Sequence, residues 1–98
     1  MTPKMHTLVI YDIAEDDVRM KVSDVCKRFG LTRIQKSAFM GWLTSSARKE
    51  LTVALRRVFD DATGNIQIFV ICRADLSLRK VIGKPYEEYS REAGEVLV

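Results

Sequence analysis

Leu8-Val9-Ile10-Tyr11-Asp12-Ile13 is an apolar run with a single carboxylate set into it. Such a run predicts a buried strand, here over residues 5 to 13. The next segment changes period. Val18, Val22, Val25, Cys26 and Phe29 recur at helical spacing, with Arg19, Lys21, Ser23, Asp24 and Lys27 on the other side. Glu15-Asp16-Asp17 offers a capping carboxylate and negative charge for the helix start, and Gly30 ends the helix. Residues 31 to 40 read as a second strand. Its alternation falters at Gln35, Lys36 and Ser37, the mark of a bulge or bend. Beyond a bend at Gly41, the N-cap candidates Thr44, Ser45 and Ser46 open a second helix. Its buried stripe is Ala47, Leu51, Ala54 or Leu55, Val58 and Phe59; Arg48, Lys49, Thr52, Arg56 and Arg57 face outward. A turn cluster over 60–65 leads into a third strand, Ile66 to Ile71. Residues 79 to 82 read as a short fourth strand after a turn near Asp75 to Leu78, and Gly83-Lys84-Pro85 breaks the pattern.

Two element orders fit. Counting a short strand around Trp42 to Leu43 gives β-α-β-β-α-β; the plain reading gives β-α-β-α-β-β. The fold class is α+β: a ferredoxin-like sandwich, an antiparallel sheet with two helices on one face. Strands buried on one face only should alternate. These do not, since Leu8 to Ile10 and most of Ile66 to Ile71 are apolar on both faces. The second face therefore needs a cover, and a second copy of the chain supplies it as a homodimer. The domain is placed at residues 1–83. The tail, 84–98, ends in Val96-Leu97-Val98 and is expected to add a strand to the partner subunit.

The chain has 98 residues, room for one domain, and a net charge of +3. A mildly basic balance is weak evidence for a polyanionic partner, but its distribution adds to it. Arg33, Lys36, Arg48, Lys49, Arg56 and Arg57 lie mid-chain, where Glu50 is the only acid between Arg33 and Arg57. Cys26 and Cys72 stand alone, without a C-x-x-C or a histidine cluster, which argues against zinc and a disulfide scaffold. Two buried thiols in a reducing compartment are expected. No apolar stretch reaches signal-peptide or membrane-spanning length, so a cytoplasmic protein with no membrane partner is expected.

Asp12 is the residue that asks for an explanation. An unpaired carboxylate in a buried strand costs several kcal/mol. Either it caps the following turn or it stands at the strand end for chemistry. Other residues have alternatives of the same kind. Arg19 suits a solvated helix face, Arg33 suits a cross-strand carboxylate pair, and Tyr11 and Phe39 suit a core. Ser37 has no His-Asp arrangement behind it, which excludes a serine nucleophile. His6, the only histidine, suits an exposed strand position. Arg48, Lys49, Arg56 and Arg57 are either a solvated face or phosphate contacts of one charge each.

Tyr11-Asp12-Ile13, then Arg19-x-Lys21-Val22, then Phe29-Gly30-Leu31-x-Arg33-Ile34-Gln35-x-Ser37-x-Phe39-x-Gly41 resemble the CRISPR-associated Cas-two family, in order and spacing. The resemblance covers nearly the whole chain. It implies a ferredoxin-like homodimer in which Asp12 of each copy faces the other and holds magnesium or manganese. It implies a metal-dependent endonuclease acting on single-stranded RNA or duplex DNA. It also implies a structural role in spacer acquisition, bridging CRISPR integrase dimers and supporting duplex DNA. Tyr11, Arg19, Arg33, Ser37 and Phe39 match the family's supporting site positions. Lys21 replaces an Arg of some relatives. Met40 replaces a Glu of many relatives, which removes an acid near the site. A catalytically silent DNA- and protein-bridging scaffold is the alternative function. Without the resemblance, a toxin-type ribonuclease or a small-ligand regulator would fit the fold.

Overall fold

The computed structural model describes residues 3–86. Strand β1, Met5–Ile13, alternates sharply: Thr7, Val9, Tyr11 and Ile13 are buried, and Asp12 is exposed. Helix α1, Asp16–Arg28, follows, with Asp16 and Asp17 in its first turn and Lys27 and Arg28 in its last, all favourable to the helix dipole. Gly30 takes φ +83°, which a side chain would resist, and the Gly30 and Leu31 amides donate to Lys27 and Cys26 carbonyls to close the helix. Strands β2, Thr32–Gln35, and β3, Ala38–Leu43, form an antiparallel hairpin. Helix α2, Ser45–Phe59, is capped by the Thr44 hydroxyl, which accepts from the Ala47 amide at 3.1 Å. Strand β4, Gly64–Ile71, and a short helix α3, Arg73–Ser77, complete the order.

The sheet order is β2-β3-β1-β4, with every neighbouring pair antiparallel. This is the ferredoxin-like α+β arrangement, and β-α-β-β-α-β is the order adopted. Val9 and Ile13 of β1 meet Val22 and Val25 of α1, Leu51 and Leu55 of α2, and Phe39 of β3 in one core. Both long helices therefore cover the same face.

Three sequence expectations change. The stretch 31–40 is not one bent strand; the polar Lys36 and Ser37 are the turn between β2 and β3, and the added strand begins at Ala38 rather than near Trp42. Residues 79–82 form no strand. Their two apolar residues are adjacent and fail to alternate, and Ile82 is almost wholly exposed. Cys72 is not a second buried thiol: it is half-exposed and caps α3.

His6, Leu8, Ile10 and Asp12 point away from the helices. The register aligns them with Trp42, Met40 and Ala38 of β3 and with Ile71, Phe69, Gln67 and Asn65 of β4. The chain's own stretch 79–86 lies beside Ile34, Gln35 and Met40, so this face is covered on its β2–β3 side. Phe69 and Trp42 remain 44% and 41% exposed. Most of the expected tail, residues 87–98, lies outside the described residues, and so does its proposed strand.

Candidate functional site

Asp12 is the penultimate residue of β1, opposite Asn65. The alternation of a strand puts Tyr11 and Asp12 on opposite faces: Tyr11 under the helices, Asp12 on the face they leave open. The Asp12 carboxylate is exposed and has no hydrogen-bond partner among the described residues. It caps nothing. The N-cap of α1 is Glu15, and even that side chain makes no cap bond. Both Glu15 oxygens instead accept from the Thr63 amide, at 2.9 and 3.1 Å. That donor pulls the Glu15 carboxyl below the usual carboxylate range.

The backbone that carries Asp12 is held on several sides. The Arg19 guanidinium pairs with Asp16 and donates to the Ile13 carbonyl at 2.7 Å and the Ala14 carbonyl at 3.1 Å. The Tyr11 amide donates to the Ser37 carbonyl and the Ala14 amide to the Thr63 carbonyl, each at 3.0 Å. Gly64 takes φ +120°, and a Cβ there would overlap the Asp12 carbonyl. Only glycine lets β4 begin this close to the end of β1.

On the helix side, Tyr11, Arg33 and Phe39 form a second group. Tyr11 stacks with Phe39 at a centroid distance of 6.5 Å, and the Arg33 guanidinium lies 4.7 Å over the Phe39 ring. Arg33 also donates to the Lys36 carbonyl at 2.5 Å and the Ser23 hydroxyl at 2.6 Å. Tyr11, Arg19, Ser23, Lys27, Arg33 and Ser37 border a shared open groove between α1 and the β2–β3 turn. Burial raises the Tyr11 phenol above its ordinary value, and neighbouring Arg33 opposes that rise. Tyr11, Arg19, Arg33, Ser37 and Phe39 are thus brought together, with Asp12 on the other side of the sheet.

The basic residues of α2 divide. Lys49, Arg56 and Arg57 are exposed. Arg48 is half-buried, its guanidinium 3.4 Å from the Leu43 carbonyl. Among the described residues no group of three His, Cys, Asp or Glu side chains is placed to hold a metal. His6 packs on Trp42 with ring centroids 3.7 Å apart. Desolvation, with Arg79 and Arg73 nearby, lowers its pKa. Its Nδ1 is buried without a partner. No helix of the described residues is long and apolar enough to cross a membrane.

Sequence reasoning missed Glu15, Thr63 and Gly64 as parts of this site. No local pattern signals a contact between residues 48 positions apart.

A four-stranded antiparallel sheet backed by two helices, with a free carboxylate at the end of a central strand, defines a small ferredoxin-like α+β protein. Relatives in sequence narrow the class. The family profile of CRISPR associated protein Cas2 matches residues 5–78. The chain is 47% identical over 78 residues to the CRISPR-associated endoribonuclease Cas2 of Desulforudis audaxviator, covering 80% of this chain and 74% of that one. It is 42% identical over 80 residues to the protein of that name from Korarchaeum cryptofilum, covering 82% and 86%. A CRISPR-associated endonuclease Cas1/endonuclease Cas2 fusion of Thermoproteus tenax is 44% identical over 77 residues, which span 76% of this chain and 29% of the fusion. Among solved structures, a hypothetical protein of Thermus thermophilus superposes with a TM-score of 0.73 at 26% identity, covering 85% and 95% of the two chains. The chain belongs to the CRISPR-associated protein Cas2 family.

Proposed function

We propose that two copies of this chain pair through their open sheet faces and bring their Asp12 carboxylates together around a magnesium or manganese ion. The assembly acts in CRISPR spacer acquisition. It binds duplex DNA beside the integrase and hydrolyses phosphodiester bonds of RNA or DNA. The observation that carries this reading is the Asp12 carboxylate: exposed, unpartnered, and mounted on a backbone held on several sides. The names of the relatives support nuclease chemistry. The fusion in Thermoproteus tenax supports the integrase partnership.

Asp12 fits a hard cation that takes oxygen ligands and keeps several waters. Each chain would supply one carboxylate, and the pair would complete the set. Magnesium, when bound, offsets the charge that builds on the phosphoryl oxygens and acidifies a bound water. The chain's own residues do the rest. Lys49, Arg56 and Arg57 hold phosphates as exposed point charges. Arg19 and the Tyr11–Arg33–Phe39 group fix the strand end from beneath. The Tyr11 side chain lies on the sheet face opposite Asp12 and acts on the strand end from the helix side.

The absence of a three-residue metal cluster among the described residues favours a second reading. In it the protein is a silent scaffold that bridges DNA and integrase. One comparison separates the two: labelled single-stranded RNA and duplex DNA, with magnesium or manganese, wild type beside Asp12→Asn. Losing several kcal/mol of charge stabilisation should slow cleavage about 100-fold or more. A folded, DNA-binding wild type that cuts neither substrate leaves the scaffold.

A further inference from the structure

We propose that Glu15 is a positioning residue for Asp12, clamping the end of β1 to the start of β4 and acting together with Gly64. The proposal rests on the reading of Asp12 as a metal ligand.

Three observations converge. A residue at an N-cap normally turns its side chain back onto the first helical amides. Glu15 occupies that position and does not; its carboxylate reaches the Thr63 amide with both oxygens. The reciprocal bond, Ala14 amide to Thr63 carbonyl at 3.0 Å, closes a ring between the two loops. Next to that ring, Gly64 is pressed against the Asp12 carbonyl at a φ only glycine tolerates well. The clamp therefore grips the chain immediately after Asp12 and the strand opposite it. Asp12 itself contributes no side-chain bond to the grip, so its carboxylate stays free. A lone metal ligand needs this arrangement: its geometry must come from the backbone, because nothing holds the side chain.

Mutating the outer partners of metal ligands commonly costs about 10- to 100-fold in affinity or activity. Glu15→Ala should weaken manganese binding and lower kcat about 10-fold, with KM for nucleic acid unchanged. Glu15→Gln keeps an oxygen to accept from Thr63 and should recover most of the loss. Amide hydrogen exchange at Ala14 and Thr63 is read on the same samples. It should quicken in Glu15→Ala and stay slow in Glu15→Gln. Unchanged exchange at both amides in Glu15→Ala overturns the clamp, whether or not the protein cuts nucleic acid. Equal losses in Ala and Gln variants overturn it too, since they assign the effect to charge. Faster exchange together with a wild type that binds no metal would keep the clamp and reject the reading of Asp12.

Discussion

Tyr11 and Asp12 are neighbours in sequence and belong to opposite sides of the sheet, so they have separate duties. Tyr11 is buried against Phe39; Asp12 stands in solvent with its oxygens unclaimed. The two cysteines divide the same way. Cys26 is fully buried among the α1 core residues, and burial pushes its thiol up to about 12. At neutral or mildly alkaline pH it stays protonated, and the thiolate is the reactive form. Cys72 is half-exposed at the start of α3, where its sulfur accepts from the Asp75 amide at 3.4 Å. A thiol reagent at pH 8 should modify Cys72 in the native protein and reach Cys26 only on unfolding, as mass spectrometry of timed samples would show. Equal rates at both would mean that the α1 core opens freely in the native state.

At the scale of elements, the β2–β3 hairpin depends on one cation. Arg33 spans from the Lys36 carbonyl in the turn to the Ser23 hydroxyl on α1, with Phe39 beneath its plane. A lysine has neither the fork nor the flat face. Arg33→Lys should leave the buried Ser23 hydroxyl without this donor and lose the ring contact, costing about 1–3 kcal/mol. Urea unfolding should show a lower midpoint at an unchanged slope. A midpoint equal to wild type would reduce Arg33 to a surface charge. The same hairpin marks where the sequence stops being legible. α1 and α2 each bury one stripe that helical period reveals, and β1 and β4 stand out as continuous apolar runs. The turn at Lys36-Ser37 has no Gly, Pro, Asn or Asp, so it passes for an irregular strand. Val81-Ile82 errs the other way: an apolar pair imitates a strand with no neighbour to join. Asp12 was legible because a carboxylate in an apolar run is locally anomalous. The Glu15 clamp was not, because Glu15 at a helix start looks like any acidic first turn.

For the whole molecule, the proposed assembly runs through the open sheet face. Leu8, Ile10, Phe69 and Ile71 form an apolar strip beside Asp12, and the stretch 79–86 covers only the β2–β3 side of that face. Apolar patches of this kind mark interaction surfaces. In the proposed dimer, a second copy placed there by two-fold symmetry would bury the strip against itself. The same proposed pairing would bring two Asp12 carboxylates together, and they would repel until a cation separates them. Dimerisation and metal binding should therefore be linked, each strengthening the other. Light scattering should give twice the 11.2 kDa chain mass at micromolar concentration. Phe69→Glu, which sets a charge on an already 44% exposed position, should give a folded monomer with weakened metal binding. Chelation should loosen the wild-type dimer. It should leave an Asp12→Asn dimer unaffected, because the repulsion is gone. A Phe69→Glu protein that remains dimeric would move the interface off this face. A wild-type dimer indifferent to chelator would separate assembly from the metal.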